Sequence, residues 1–397
     1  MRTPRLDEEG VRLYLGDAGE VLRDLPTGSV DCVVTSPPYF RLRDYGYDEQ
    51  IGLEDTPAAF LARLVGVFDE VARVLSPRGV AWVNMGDSYT GTGTMPPRPD
   101  HSGDVRLGYG EQGSASAPAG VPRDTGGRPK DLLGMPWRLA FALQDAGWWL
   151  RRDVVWSKPN PMPESASDRP TTAHEYVFML TRAPRYWYDA EAVKEPVTGN
   201  AHARGNGVNP KAGENSAGSK MNASMSASIA GLVDTRNMRS VWTFPTEPNP
   251  DAHFATFPRE MVRRCLSASC PEHVCAECGE PRRRIVERQE VGDWRGDHER
   301  TDLVHRQRAG LSGADYYVWT DCGHDAYRPG VVLDPFVGSG TTAVVARAMR
   351  RHAVGIDGSA EYLDIAKRRL DRERARAWVI PGPAHVIDDG QLSMEGV

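Results

Sequence analysis

The 397-residue chain has no run of eighteen apolar residues, so nothing in it reads as a membrane span. Its first residues, Met1-Arg2-Thr3-Pro4, lack the apolar stretch of a secretory leader, which points to a cytoplasmic protein. It has only six cysteines, and in a reducing compartment that argues against a disulfide framework. Positive charge is not in excess. Forty-eight Lys and Arg against 54 Asp and Glu leave a net charge of −6, so any nucleic-acid contact must use a local basic surface. The glycine-containing loop at residues 338–342 is neither a Gly-x-Gly-x-x-Gly nor a Gly-Lys-Thr, which disfavours nicotinamide and ATP sites there. No internal repeat is present, which argues against a solenoid or propeller.

Hydrophobic residues make up 40% of the chain, enough for a large core, and the length suits one large domain with insertions or two to three smaller ones. Apolar β-branched runs predict strands at 11–15, 30–34, 80–85, 149–156, 176–181, 331–334 and 353–357. Helical periodicity predicts helices at 19–25, 56–75, 135–146, 257–266, 341–349 and 361–375. In the second, Thr56 caps and Pro57 takes the first position. Ser76-Pro77-Arg78-Gly79 reads as its break. The alternation predicts an α/β fold with a mostly parallel sheet. Residues 91–130 and 196–232 are rich in small and polar residues without periodicity, and read as flexible loops.

Two strand-end motifs carry the chemistry. Thr35-Ser36-Pro37-Pro38-Tyr39 follows the strand at 30–34. Consecutive prolines fix an extended backbone and remove two N–H donors, leaving outward carbonyls beside an aromatic ring. That arrangement suits a planar amine, whose hydrogens are accepted and whose face is stacked. Taken alone, the pentapeptide reads more readily as a strand terminator with Tyr39 in the core. Asp334-Pro335-Phe336-Val337-Gly338-Ser339-Gly340-Thr341-Thr342 follows a second strand and opens a helix. Gly338 and Gly340 let backbone approach a ligand, and the helix start favours a carboxylate. Asp334 suits an ammonium, and Asp357, at the next strand end, suits ribose hydroxyls.

In this order the two motifs resemble the beta-type amino-methyltransferases of DNA restriction–modification systems, over nearly the whole chain. The resemblance implies a Rossmann-like fold that uses S-adenosylmethionine, with an inserted target-recognition region. Leu15-Gly16-Asp17 resembles the stretch reaching the cofactor's adenine. Residues 153–160 and 174–178 resemble later sheet segments, and Phe254-Ala255-Thr256 a cofactor-contacting segment. The implied cofactor set is Asp17, Thr35, Phe254, Thr256, Asp334, Pro335, Phe336, Gly338, Ser339, Gly340, Thr341, Thr342 and Asp357. Ser36 and the Pro37 carbonyl would accept from the target amine, Pro38 would fix the turn, and Tyr39 would stack on a base flipped out of duplex DNA. Ser before Pro-Pro favours the N4 amine of cytosine over the N6 amine of adenine in this family. An RNA or small-molecule methyltransferase, or a catalytically silent DNA-binding or zinc-mediated interaction protein, are the competing readings. A restriction endonuclease of the same system is the implied partner beside DNA.

The implied division is a catalytic half at 1–182, a recognition region at 183–250, a cofactor half at 251–269 and 325–378, and a tail at 379–397. Between the cofactor segments, 270–324 reads as a small zinc-binding insertion. Cys275 and Cys278 have knuckle spacing, and Cys322 with His324 completes a tetrahedral set 43 residues later, with Cys270 and His273 as rival ligands. Arg185, Tyr186, Trp187 and Tyr188, then Arg236 and Arg239, suit DNA contact, as does Arg282-Arg283-Arg284. Arg350-Arg351 and Lys367-Arg368-Arg369 read as solvated helix faces.

Overall fold

Val30–Thr35 buries six side chains in succession, the pattern of a strand covered on both faces. It lies at the centre of a nine-stranded sheet. The structure is a computed structural model that describes residues 2–42, 50–90, 128, 130–197, 202–204, 229–232, 235–248, 257–287 and 316–375.

The strands of the first half are β1 (Leu6–Glu8), β2 (Val11–Leu15), β3 (Val30–Thr35), β4 (Leu75–Met85), β5 (Trp149–Ser157) and β6 (His174–Thr181). Short strands follow: β7 (Glu195–Pro196), β8 (His202–Arg204), β9 (Ile229–Leu232), β10 (Thr235–Arg236) and β11 (Val241–Thr243). The second half adds β12 (Val274–Cys275), β13 (Arg284–Glu287), β14 (Tyr316–Trp319), β15 (Tyr327–Arg328), β16 (Val331–Asp334) and β17 (His352–Asp357). The helices are α1 (Ala18–Asp24), α2 (Pro57–Val74), α3 (Met135–Asp145), α4 (Arg259–Ser269), α5 (Thr341–Ala348) and α6 (Ala360–Ala375).

The main sheet runs β1-β2-β17-β16-β3-β4-β6-β5-β11. Only β1 and β6 oppose the common direction. This is the mixed α/β, mostly parallel architecture expected from the alternation of elements. Side chains leave successive strand residues on opposite faces. Cys32, Val34, Val80 and Trp82 therefore pack towards α4, α5 and α6, while Val33, Ala81 and Val83 pack towards α1, α2 and α3. Helix α2 shows why its sequence is helical. Thr56 accepts from Ala59 N at 3.1 Å, Pro57 fits the first turn, and Phe60, Leu64, Val67, Phe68 and Val71 are buried at helical spacing. Each such side chain contributes about 1.5–3 kcal/mol through burial.

The structure corrects several expectations. Helix α2 ends at Val74, where the break at 76–79 was expected, but those residues already belong to a strand, because β4 begins at Leu75. β3 pairs Val30 with Leu75 and Cys32 with Val80, so the extra residues bulge from the ladder. Pro77 is tolerated there because a bulge leaves its position unpaired. Gly79 is required by crowding, since a Cβ would lie 2.3 Å from Leu75 Cδ1 and 3.0 Å from Asp31 O. Helix α4 starts after Pro258, two residues later than the predicted 257, and runs to Ser269. The region expected to be recognition insert through 250 rejoins the sheet at β11, parallel to β5. Trp242 is fully buried, 5.7 Å from the Trp82 ring, and donates to Arg239 O at 2.9 Å. Phe254 and Thr256, nearly all of 91–130, most of 196–232, and 379–397 lie outside the described residues. Among the described residues, no helix is long and apolar enough to cross a membrane.

Truncating Trp242 to Ala should cost about 3–5 kcal/mol through the cavity left at the sheet edge. A urea unfolding curve measures it, and an unchanged midpoint would contradict the anchoring role of β11.

Candidate active site

β16 and β3 are parallel neighbours, pairing Val332 with Cys32 and Leu333 with Val33. Their carboxyl ends therefore release the two sequence motifs side by side. In an open α/β sheet, that edge is where ligands bind. A buried carboxylate joins the two motifs. Asp334 Oδ1 accepts from Thr35 Oγ1 at 2.7 Å and from Phe336 N at 3.1 Å, and Oδ2 accepts from Thr342 Oγ1 at 2.7 Å. Burial pushes the Asp334 carboxyl up to about 6, against the pull of those three donors.

Asp357, at the end of β17, fastens the glycine loop from the other side. Its Oδ2 accepts from Gly338 N and its Oδ1 from Ser359 N, both at 2.8 Å. Burial raises this group also to about 6, opposed by the same two N–H donors. Asp17 caps α1 by accepting from Glu20 N at 2.9 Å, and Gly16 N donates to Asp357 O at 3.0 Å. Asp17, Asp357, Asp334 and Thr35 thus follow one another along adjacent strand ends.

The loop's own residues divide in two. Gly338 has φ of +49° and a Cβ there would meet nothing within 4 Å, so its backbone faces open space. Gly340 has φ of +83° and a Cβ would lie 2.7 Å from Ala366 Cβ, so it lets the loop pack against α6. Ser339, Thr341 and Thr342 are buried, and Asp334 is 1% exposed. Those side chains build the loop from within. Pro335 is buried, whereas Phe336 is partly exposed at the rim. Arg369 went unnoticed as part of this site in the sequence. It is buried in α6, and its Nη1 donates to Ser339 O at 2.7 Å, Ser339 Oγ at 2.8 Å and Thr341 Oγ1 at 3.1 Å. Its helical spacing from Leu363 and Ala366, both buried, was the available signal.

In the turn at Thr35–Tyr39, Pro37 and Pro38 are buried and Ser36 is partly exposed. Among the described residues, neither Ser36 Oγ nor the Pro37 carbonyl has a hydrogen-bond partner. Tyr39 is half-buried, and its hydroxyl donates to Glu175 Oε2 at 3.0 Å. The ring crosses the backbone of Gly86, where a Cβ would lie 2.7 Å from Tyr39 Cε2. The turn therefore presents one hydroxyl, one carbonyl and one ring edge on a fixed backbone, the donor-poor surface a planar amine needs. The glycine loop adds backbone N–H groups at the start of α5 and two buried carboxylates, with no cation bound to either carboxylate among the described residues. This donor set fits the carboxylate and positive charges of S-adenosylmethionine.

Cys275, Cys278, Cys322 and His324 come together elsewhere, with their ligand atoms all within 4.8 Å of one another. Cys275 Sγ and Cys322 Sγ each lie 3.5 Å from His324 Nδ1. Cys278 N donates to Cys275 Sγ at 3.4 Å, and backbone donors of this kind bring the Cys275 thiol down to about 6. The rival ligands point away. Cys270 is buried in the core beneath the sheet, and His273 packs edge-on against Trp319 at 5.2 Å. The cluster sits at the amino-terminal end of β16, where Arg328 binds Asp31. It therefore lies at the opposite end of β16 from Asp334.

The three basic runs divide: Arg283, Arg350, Lys367 and Arg368 are exposed, whereas other arginines of the same runs turn inward, against the reading of solvated faces. Arg284 lies between Asp189 at 3.7 Å and Glu272 at 3.2 Å, and the Arg282 guanidinium sits 3.9 Å from the Tyr327 ring centroid. Arg351 is buried and donates to Met349 O and Cys270 O. With Arg369, each run places an arginine inside the protein. Trp187 is likewise core, donating to Arg282 O at 3.0 Å.

Comparison with known proteins gives concordant matches. A family model described as DNA methylase, covering N6 and N4 methyltransferases, matches residues 30–279 and 326–368. Type II methyltransferase M.Cfr9I of Citrobacter freundii is 40% identical over 374 residues, covering 94% of this chain and 91% of that protein. Type II methyltransferase M.XycI of Xanthomonas campestris pv. cyanopsidis is 39% identical over 375 residues, covering 94% and 92%. The solved PvuII DNA methyltransferase (cytosine-N4-specific) aligns at a TM-score of 0.49 with 16% identity, over 90% of this chain and 86% of that chain.

The raised carboxyl values set a pH dependence. In the folded protein Asp334 and Asp357 take up protons near pH 6, whereas free aspartates do so near 3.8. The fold binds more protons than the unfolded chain between these values, so the two groups favour folding as pH falls from about 6 to about 4. A cationic ligand needs them ionised, so its binding changes the opposite way. S-adenosylmethionine affinity should fall about tenfold per carboxylate one unit below pH 6. Calorimetric titration at pH 5 and 7.5 checks this, and equal affinities would contradict it.

Proposed function

The chain belongs to the N6 and N4 DNA methylase family and is an S-adenosylmethionine-dependent DNA methyltransferase, and from that premise we propose that it modifies the N4 amine of cytosine. The observation that carries this choice is Ser36. It stands where the family places Asp or Asn for adenine, and its hydroxyl is open beside the Pro37 carbonyl. S-adenosylmethionine, when bound, supplies an activated methyl group open to direct displacement by an amine nitrogen. The protein's part is positioning and polarisation. A target base has to leave the duplex stack to reach this turn. Ser36 Oγ and Pro37 O accept the two amine hydrogens, which concentrates the lone pair on nitrogen. Tyr39 stacks on the base, and Pro38 keeps the carbonyl and ring in register. The open face of Gly338 lets the cofactor approach, and the first N–H groups of α5 hold its carboxylate. Asp357 and Asp17, at neighbouring strand ends, serve its ribose and adenine side. Asp334 contributes negative charge from behind the loop. Within residues 183–250, the part outside the strand β11 supplies target recognition. The relatives named Type II methyltransferases support a place in a restriction–modification system, with an endonuclease as partner.

Sequencing modified bases in DNA from cells expressing the chain should reveal N4-methylcytosine at one short site. N6-methyladenine there would overturn the cytosine choice. Ser36→Ala should lower the transfer rate about tenfold to a hundredfold, in line with losing one hydrogen bond to the reacting group.

We also propose that Cys275, Cys278, Cys322 and His324 hold one structural zinc ion. Three thiols and an imidazole form a closed tetrahedral set, which suits zinc in a structural role. The internal use of Arg282 and Arg284 supports a staple at the amino-terminal end of the sheet. Elemental analysis of protein purified without added metal should give one zinc per chain. Cys322→Ser should lose it and melt at lower temperature while retaining S-adenosylmethionine binding. Metal-free wild-type protein of unchanged stability would refute the site.

A further inference from the structure

Tyr39 is oriented by strands far from it in sequence. Glu175, in β6, receives the Tyr39 hydroxyl on Oε2, and the same oxygen accepts from Asn84 Nδ2 at 3.0 Å. The second amide hydrogen of Asn84 goes to Tyr176 O at 3.1 Å, so the amide is fixed at both ends. The other carboxylate oxygen, Oε1, is ion-paired with Lys158 Nζ, and both side chains are more than four-fifths covered. Lys158 is held in turn, 4.5 Å over the Trp156 ring, whose Nε1 donates to Phe244 O at 2.9 Å.

We infer that Glu175, braced by Lys158 and Asn84, is a positioning residue that sets the tilt of the Tyr39 ring for the incoming base. This rests on the reading of Tyr39 as the stacking residue. A phenol bound to an ionised carboxylate makes a stronger hydrogen bond than one bound to a neutral acceptor. The hydroxyl end of the ring is thus tied to β6, while the ring edge rests on Gly86, where no side chain can intrude. With both points fixed, the ring is ordered before a base arrives, and the base meets a prepared surface. Without Glu175, Tyr39 keeps its backbone but loses its tilt. The loss should appear in the chemical step and leave cofactor binding unchanged, because neither Glu175 nor Lys158 bonds to the glycine loop.

The test is a double-mutant cycle with Tyr39→Phe, Glu175→Gln and the double variant. Methyl transfer from labelled S-adenosylmethionine to unmethylated plasmid DNA is read alongside the KM for S-adenosylmethionine and thermal melting. Each single variant should lower kcat about tenfold. The KM should stay within about twofold, and the double variant should be no slower than the worse single. Multiplicative losses, Tyr39→Phe turning over at the wild-type rate, or a loss confined to the KM would each overturn the inference. Wild-type chain that labels no DNA would instead refute the methyltransferase reading. The melting shifts would then decide the link alone, non-additive shifts upholding the Tyr39–Glu175 tie and additive shifts refuting it.

Discussion

The carboxylate of Asp334 is the joint on which the site depends. An ionised carboxylate out of contact with water costs several kcal/mol unless donors surround it. Here two threonine hydroxyls and a backbone N–H do so, and two of them come from segments that must stay in register. Thr35 brings the end of β3, and with it the Ser-Pro-Pro-Tyr turn. Thr342 brings the first turn of α5, and with it the glycine loop. Thr35 and Asp334 are 299 positions apart in a chain of 397, so the tie makes one site of two distant halves. Asp357 repeats the device one strand over, where its carboxylate carries Gly338 N.

Much of this was legible before any coordinates, for a physical reason. Strand-end motifs are read from local chemistry: a buried β-branched run, then prolines or glycines that no strand interior tolerates. The pairing of β3 with β16 follows from sheet topology once both runs are strands. The gathering of Cys275, Cys278, Cys322 and His324 was readable because rare residues at short spacings stand out in a sequence. Burial of charge was not readable in that way. Arg284, Arg351 and Arg369 each sit in a run of basic residues, and a run invites a surface reading. Which member of it turns inward depends on helix phase and on partners such as Ser339, Glu272 and Asp189, which are remote in sequence. The bulge at residues 76–79 was hidden for a related reason. Proline and glycine mark a turn and a bulge alike, and only the partner strand distinguishes them.

The two ends of the sheet do different work. The carboxyl end gathers groups with open valence: the Ser36 hydroxyl, the Pro37 carbonyl, the face of Gly338 and the tied ring of Tyr39. The amino end gathers groups that close on one another. Arg328 binds Asp31, Gly330 N donates to Pro271 O, Arg78 pairs with Glu280, and the cysteine cluster lies just beyond. A domain whose open end has to admit a ligand cannot fill that end with apolar contacts. The stability forgone there has to come from elsewhere, and the amino end is where crosslinks do not obstruct chemistry.

The same separation explains how the long segment between β6 and β11 is carried without loosening the site. It leaves the core beside Trp187 and returns at Trp242, and both indoles are buried with their N–H groups bonded to backbone carbonyls. Closing a longer loop between two fixed points adds little entropy cost, because that cost grows only with the logarithm of length. What would be costly is movement of the fixed points. Trp242 stacks near Trp82 in β4, and β4 leads directly to Asn84 and Gly86, which hold Glu175 and the ring of Tyr39. The residues that anchor this segment and those that hold the ring of Tyr39 therefore belong to one packed unit.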